Sequence, residues 1–175
     1  MQRICAMKQV KGFTLVELLS TFALVGILIA IGIPSLVDWV TRNRVTTLEY
    51  TLLHSINYAR VQGINRQTTV TLCPGLNQCE RDWGSQIIIF LDFNSDGILD
   101  LTDQLLKKID LGNDAGTLDW RSFRRKNYLQ FTSEGLTSAL NGTLHFCHKK
   151  PGKGYDFAIV LARTGRIRVH KEPDC

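Results

Sequence analysis

One apolar stretch near the N-terminus constrains this chain more than any other part of the sequence. Residues 13–37 contain a single charged side chain, that of Glu17. Their length of about 25 residues is enough to cross a bilayer as a helix. The preceding segment carries Arg3, Lys8 and Lys11 and no acid, which predicts a cytoplasmic N-terminus and an exported remainder. A secretory signal peptide would instead have a shorter apolar run followed by a small-residue cleavage site.

Two places within this stretch depart from a plain apolar helix. A carboxylate among apolar side chains is costly, so Glu17 is a candidate functional residue. Pro34, which follows Gly26 and Gly32, marks a point where the helix can bend or locally melt.

The start of the apolar stretch has a recognisable motif. Residues 11–17, which read KGFTLVE, resemble the leader junction of type IV pilins and type II secretion pseudopilins. The resemblance implies that prepilin peptidase cleaves after Gly12, that Phe13 becomes N-methylated, and that Glu17 pairs with the N-terminal amine of a neighbouring pilin. It also implies a single-pass inner-membrane protein with a periplasmic globular domain, assembled into a pilus or pseudopilus at the cell surface. The alternative is an ordinary signal anchor.

Periodicity predicts the organisation of the rest of the chain. Apolar residues recur at three- and four-residue steps from Val45 to Ala59, so the helix should continue to about Gly63. We therefore divide the chain into a leader (1–12), a helix (13–65, transmembrane over 13–37) and a β domain (66–175). Strands are predicted at 68–72, 86–93, 104–111, 128–131, 143–147, 157–161 and 167–170. The expected fold class is α+β, with one long N-terminal helix packed on an antiparallel β-sheet, as in type IV pilins.

Four cysteines follow the leader, and an exported chain would oxidise them in pairs. Four cysteines allow three pairings. Cys73 and Cys79 are close enough to close a small loop, and Cys175 at the end of the chain can be stapled to Cys147. We therefore predict the pairs Cys73–Cys79 and Cys147–Cys175. The alternative of a zinc site has poor spacing and no paired histidines.

Several short motifs in the β domain narrow the family. Leu-Cys-Pro at 72–74, Cys79, Trp-Gly at 83–84, Asp-Phe-Asn at 92–94 and a final Gly-Arg-Ile-Arg at 165–168 occur in this order. Together with the leader, they resemble the GspH/FimT family of minor pilins and pseudopilins. Within that family the Gly-Arg-x-Arg ending is similar to the DNA-binding tip of FimT-type pilins, which take up DNA during natural transformation (competence).

An acidic segment follows the second predicted strand. Its oxygen-bearing side chains are spaced like the ligands of a calcium loop, with glycine at the sixth position: Asp92, Asn94, Asp96, Asp100 and Asp103. Two features depart from that pattern, because the last ligand is not Glu and the flanking segments are strands. The alternative is a strand-to-strand turn in which these residues supply special backbone angles.

Charge is divided unevenly along the chain. Residues 44–120 contain six Lys or Arg against ten Asp or Glu, whereas residues 121–171 contain eleven against two. This asymmetry favours a polyanionic partner for the basic part. The candidate DNA-binding residues are Lys149, Lys150, Lys153, Arg163, Arg166, Arg168 and Lys171, and residues 121–126 form a further basic run. The alternatives are a solvated basic surface and ion pairs between these arginines and neighbouring subunits.

Two functional hypotheses follow. In the first, the chain is a minor pilin that binds extracellular double-stranded DNA without sequence preference for natural transformation. In the second, it is a GspH-like pseudopilin or FimU-like minor pilin that primes fibre assembly and binds no DNA. No catalytic or cofactor motif is evident, and His54, His145, His148 and His170 form no recognisable metal motif. The expected partners are other pilins, prepilin peptidase, the inner membrane and, under the first hypothesis, double-stranded DNA.

Overall fold

The computed structural model describes residues 12–112, 115–138, 140–150, 153–171 and 175. The chain divides into two units, with the boundary between Val40 and Thr41. One helix and eight strands follow in the order α1 (Leu15–Arg66), β1 (Val70–Pro74), β2 (Gln86–Leu91), β3 (Gln104–Asp110), β4 (Gly116–Ser122), β5 (Leu129–Phe131), β6 (Gly142–His148), β7 (Phe157–Leu161) and β8 (Ile167–Lys171). This α+β architecture confirms the predicted fold class.

The first unit contains the apolar part of α1. The side chains from Leu15 to Val40 are almost all exposed, and the helix continues through Pro34 without interruption. In the described part of the chain, α1 is the one helix long and apolar enough to cross a membrane, judged by length and composition. An apolar surface of this kind needs lipid or other apolar chains around it.

The second unit has its core where the rest of α1 meets the strands. The helix buries an apolar stripe at three- and four-residue steps, as the sequence predicted: Val45, Leu48, Leu52, Ile56 and Ala59. These side chains share one cluster with residues from both sheets described below, including Ile89 of β2 and Phe146 of β6. The helix therefore packs against both sheets in the main core of the β domain.

The helix ends later than the sequence predicted, and for a different reason. Gly63 was expected to stop it, but α1 continues to Arg66 and Gln67 takes the left-handed conformation with φ 52°. The Thr68 amide then donates to the Gly63 carbonyl at 3.3 Å, which is the capping pattern of a Schellman motif. Gly63 is instead a close-packing position, because a Cβ there would lie 3.0 Å from the Thr132 carbonyl oxygen.

The strands form two four-stranded sheets, where a single sheet had been predicted. The first has the order β3-β2-β1-β5 and the second β4-β6-β7-β8, and all pairings are antiparallel. β4 was not predicted, and it forms one edge of the second sheet. β1 is shifted by two residues from its predicted position and ends at Pro74, where β5 no longer pairs with it.

Candidate nucleic-acid interface

The residues of the predicted cleavage site lie at the start of α1. Gly12 and Phe13 are exposed, and Lys11 of the motif lies outside the described residues. Thr14 and Glu17 form a reciprocal cap: the Thr14 amide and hydroxyl each donate to Glu17 Oε2 at 2.9 Å, and the Glu17 amide donates to Thr14 Oγ1 at 3.3 Å. The Thr-x-x-Glu spacing was a signal for this cap that the sequence reasoning missed. Glu17 therefore stabilises the N-terminus of its own helix.

Both predicted disulfides are present. Cys73 is bonded to Cys79, and Cys147 to Cys175. Cys73 lies on a central strand of the first sheet and is buried with Ile88 and Phe90. The second bond ties the last residue of the chain to β6, next to the strands that carry the basic residues.

The acidic segment forms a hydrogen-bonded turn. Asp92 is fully buried, and its Oδ2 accepts from the Thr71 hydroxyl at 2.6 Å, the Gln130 amide at 2.8 Å and the Gly97 amide at 2.9 Å. Asp96 Oδ1 accepts from a backbone amide within the turn at 2.7 Å. Across the described ranges, no group of three His, Cys, Asp or Glu side chains is placed to hold a metal ion. The geometry is that of the alternative interpretation, a turn built by its own side chains.

The predicted DNA-binding residues are divided between the two ends of the second sheet. Lys149 and Lys150 follow β6 and Lys153 precedes β7, whereas Arg163 and Arg166 lie in the turn after β7. Since β7 has five residues, these two ends are about 17 Å apart along the strand. All five side chains are exposed. They do not form one compact patch. The lysines and the arginines lie at opposite ends of the strands of the second sheet.

Lys171 does not belong to this group. It lies on the inward-facing register of β8, where its Nζ pairs with Glu49 of α1. The Glu49 side chain is 9% exposed, so the ion pair neutralises a carboxylate that is almost removed from water. The residue was predicted to contact DNA. In the structure, its ion pair with Glu49 connects β8 to α1.

The arginine-bearing turn is fixed from inside the protein by Arg60. Its guanidinium donates to three backbone carbonyls, those of Gly135 at 3.1 Å, Gly165 at 3.3 Å and Thr164 at 3.4 Å. Gly165 has φ +76°, and a Cβ there would meet the Gly135 carbonyl oxygen and lie 2.8 Å from Arg60 Nε. The glycine of the Gly-Arg-x-Arg motif therefore allows this close approach, and it sets the position of Arg166.

Arg168 of β8 lies on the outward face of the second sheet. Arg121 of β4 lies on the same face, so each edge strand contributes one of these cations. The register aligns Arg121 of β4, Thr143, Val160 and Arg168 of β8 in one row across the sheet. Arg121 also pairs with the exposed Asp119 at 2.7 Å, an interaction that is worth little in water. Arg121 lies on this face because it belongs to β4. That strand was not predicted, so the position of Arg121 could not be predicted either.

His145 lies in the adjacent row of the same face, between Asp119 of β4 and Ala158 of β7. Burial lowers the pKa of its imidazole, the nearby Arg121 lowers that pKa further, and Asp119 acts in the opposite direction. Its Nδ1 is buried without a hydrogen-bond partner. The lowered pKa favours the neutral form of His145, so this side chain is not counted among the cations of the basic face.

Two crystal structures of the type IV minor pilin FimU of Pseudomonas aeruginosa resemble this fold. One has 19% sequence identity and a TM-score of 0.54, with coverage of 73% of this chain and 92% of that chain. The other has 22% identity and the same TM-score of 0.54, with coverage of 75% and 90%. At these identities the likeness shows the fold, which is that of a minor type IV pilin. No curated protein sequence matches the chain.

Two family models match the sequence. Residues 7–33 match the prokaryotic N-terminal methylation motif, and residues 51–165 match type II transport protein GspH. The second match covers more than half of the chain, and the protein belongs to the GspH family. With the apolar part of α1, this membership describes a membrane-anchored subunit of a pilus or pseudopilus, as the sequence motifs predicted.

Proposed function

We propose that this protein is a minor pilin that binds double-stranded DNA non-specifically during natural transformation. The observation that carries the proposal is the β7–β8 turn, where Arg163 and Arg166 are exposed while Arg60 fixes the backbone beneath them. A guanidinium fork suits phosphate oxygens, and a fixed backbone lowers the entropy lost on binding. Binding would be a non-catalytic activity, and it requires no cofactor.

A duplex lying along the strands of the second sheet accounts for both groups of cations. The arginine end and the lysine end are about 17 Å apart, which corresponds to about five phosphates of one strand at 3.4 Å each. Arg168 lies on the outward face between these ends. We therefore retain Lys149, Lys150 and Lys153 as phosphate contacts, and Lys171 is removed from the set because it pairs with Glu49.

The binding experiment uses the full chain in detergent micelles with a fluorescently labelled duplex. The slope of log affinity against log salt should fall by about two units in the variant Arg166→Gln/Arg168→Gln, because each phosphate contact contributes about 0.9. The matched control is Lys107→Gln/Lys108→Gln, which removes the same charge from β3 of the other sheet. In cells, the arginine variant should lose DNA uptake while fibres still assemble.

The competing function is fibre priming without DNA binding, as in a GspH-like pseudopilin or a FimU-like minor pilin. Two observations favour it, the match of residues 51–165 to GspH and the likeness of the fold to FimU. Our proposal fails and this function takes its place if the wild-type chain shows no salt-dependent DNA binding. If the wild type binds DNA but the arginine variant binds equally well, the role of Arg166 and Arg168 is refuted.

We also propose that the leader is removed after Gly12, that Phe13 is methylated, that the globular part faces the periplasm, and that Glu17 pairs with the new amine of a neighbouring subunit. The match to the methylation motif and the exposure of Gly12 and Phe13 support this processing. Glu17→Val should be cleaved normally but enter fibres poorly, because it removes the charge that the amine would meet. Mass spectrometry of the mature N-terminus and quantification of sheared fibres test the two parts separately, and normal incorporation would refute the role of Glu17.

A further inference from the structure

The turn between β4 and β5 places an exposed aromatic ring among cations. Residues 121–126 read RSFRRK, and the Phe123 residue is 77% exposed. Arg124, Arg125 and Lys126 are exposed beside it. A single exposed apolar side chain is common on protein surfaces, but an aromatic ring surrounded by three cations combines two kinds of contact that one ligand could use.

The turn has a defined conformation. The Phe123 amide donates to the Asn141 carbonyl at 3.0 Å, and the Arg125 amide donates to the Ser122 carbonyl at 3.0 Å. The Ser122 hydroxyl donates to the Lys126 carbonyl, also at 3.0 Å. Arg125 has φ 54°, a conformation that non-glycine residues rarely adopt. The ring is therefore presented by an ordered turn.

The sheet register brings this turn to the arginine end of the second sheet. Ser122 pairs with Gly142, Gly142 pairs with Leu161, and Leu161 pairs with Ile167. The β4–β5 turn and the β7–β8 turn thus leave the same end of the sheet. They are separated by two to three strand spacings, about 10–14 Å in all. The β4–β5 and β7–β8 turns, which are both basic, therefore lie at the same end of the second sheet.

The chemistry of the turn selects among partners. An apolar protein surface would leave several cations unpaired, and phosphates alone would leave the ring in water. A nucleic acid offers both phosphates for the cations and flat base faces for the ring. The bases of an intact duplex are stacked on one another, so the ring can stack only on a base at an end or in a single-stranded stretch.

We propose that the β4–β5 turn is a second DNA contact, in which Phe123 stacks on an unpaired base while Arg124 and Arg125 hold the adjoining phosphates. This proposal rests on the proposed DNA-binding function and adds a preference to it. The protein binds DNA that carries a single-stranded tail more tightly than blunt duplex.

The test compares three labelled probes with the full chain in detergent micelles. They are a blunt duplex, the same duplex with a single-stranded thymidine tail, and the same duplex with an abasic tail that keeps the phosphates but lacks bases. Wild type should bind the thymidine tail about tenfold more tightly than the abasic tail, as expected for one stacked base. Phe123→Ala should abolish that difference, and Phe123→Trp should keep it.

The cations of the turn are tested separately. Arg124→Gln/Arg125→Gln should weaken binding to both tailed probes and reduce their salt dependence, with Lys107→Gln/Lys108→Gln again as the control for charge. If wild type binds blunt duplex but does not distinguish the two tails, or if Phe123→Ala still distinguishes them, this inference is wrong and the proposed function stands. If wild type binds none of the probes, the proposed function itself fails.

Discussion

The two ends of the second sheet carry similar numbers of cations but use them differently. At the arginine end, Arg60 fixes the backbone by binding carbonyls, so Arg163 and Arg166 remain exposed. At the lysine end, Lys171 connects β8 to α1, because it forms an ion pair with the buried Glu49. Counting charges along the sequence therefore overstates the positive surface that a ligand meets. Only the contacts separate a cation that binds outward from one that holds the fold together.

The largest expected effect comes from the backbone of the arginine end. Gly165→Ala should lower the free energy of unfolding by about 3 kcal/mol, because the added Cβ clashes with the Gly135 carbonyl oxygen, lies 2.8 Å from Arg60 Nε, and the φ of +76° disfavours alanine. The matched control is Gly112→Ala, where φ is +53° and no atom lies within 4 Å of the added Cβ. It should cost only about 1–2 kcal/mol of backbone strain. Urea unfolding of both variants checks this, and equal losses would show that the close approach at Gly165 adds nothing.

A smaller effect is expected at the lysine end. Lys171→Met should cost about 2 kcal/mol, because it leaves the 9%-exposed Glu49 side chain without its cation. The loss stays below that of a fully buried pair, since the Lys171 side chain is 63% exposed. The double variant Glu49→Met/Lys171→Met should regain most of the stability, because both charges are then gone. A double-mutant cycle measures the coupling, and additive losses would contradict a pair that holds β8 to the helix.

The smallest effect is expected in the middle of the sheet, at His145. Its pKa lies below the ordinary value of 6.5, mainly because of burial. The unfolded chain therefore takes up a proton at a higher pH than the folded chain, and stability falls as pH decreases from about 6.5 toward the lowered pKa. His145→Gln should lose less stability than wild type between pH 7 and pH 5. Urea midpoints at both pH values test this, and parallel losses would mean that protonated His145 is tolerated within the fold, despite Arg121 nearby.

Local patterns predicted most of the elements. The buried stripe of α1 and the strands β2, β3 and β7 were predicted from the spacing of apolar residues. Packing in the core uses the same residues, so the local pattern and the fold agree there. β4 was missed because Gly116, Asp119 and Ser122 have low strand propensity, although Leu118 and Trp120 alternate inward. The order of strands could not be predicted, because β4 pairs with β6 and β1 with β5 across long stretches of chain.

The candidate site was predicted in its residues but not in its arrangement. Arg166 and Arg168 are both exposed, as the sequence predicted, although only Arg168 lies on a strand and Arg166 lies in the turn before it. The role of Lys171 depended on Glu49, which lies far away in sequence. Asp92 resembled a metal ligand for a related reason, since spacing does not reveal that its carboxylate is buried and bonded to Thr71 and Gln130. Neither set of contacts could be inferred from local spacing, because the partners are distant in sequence.

The two attachments between α1 and the second sheet, made by Glu49 and Arg60, affect how the β domain would respond to force. Glu49 and Arg60 are eleven positions apart on α1, about 16 Å along its axis, and each grips a different end of the second sheet. Tension along this part of the helix loads both attachments in shear, so they must yield together. An attachment at one point only would let the sheet peel away in stages. We therefore expect single-molecule pulling on the helix to detach the second sheet in one rupture event, and Lys171→Met to split that event into two.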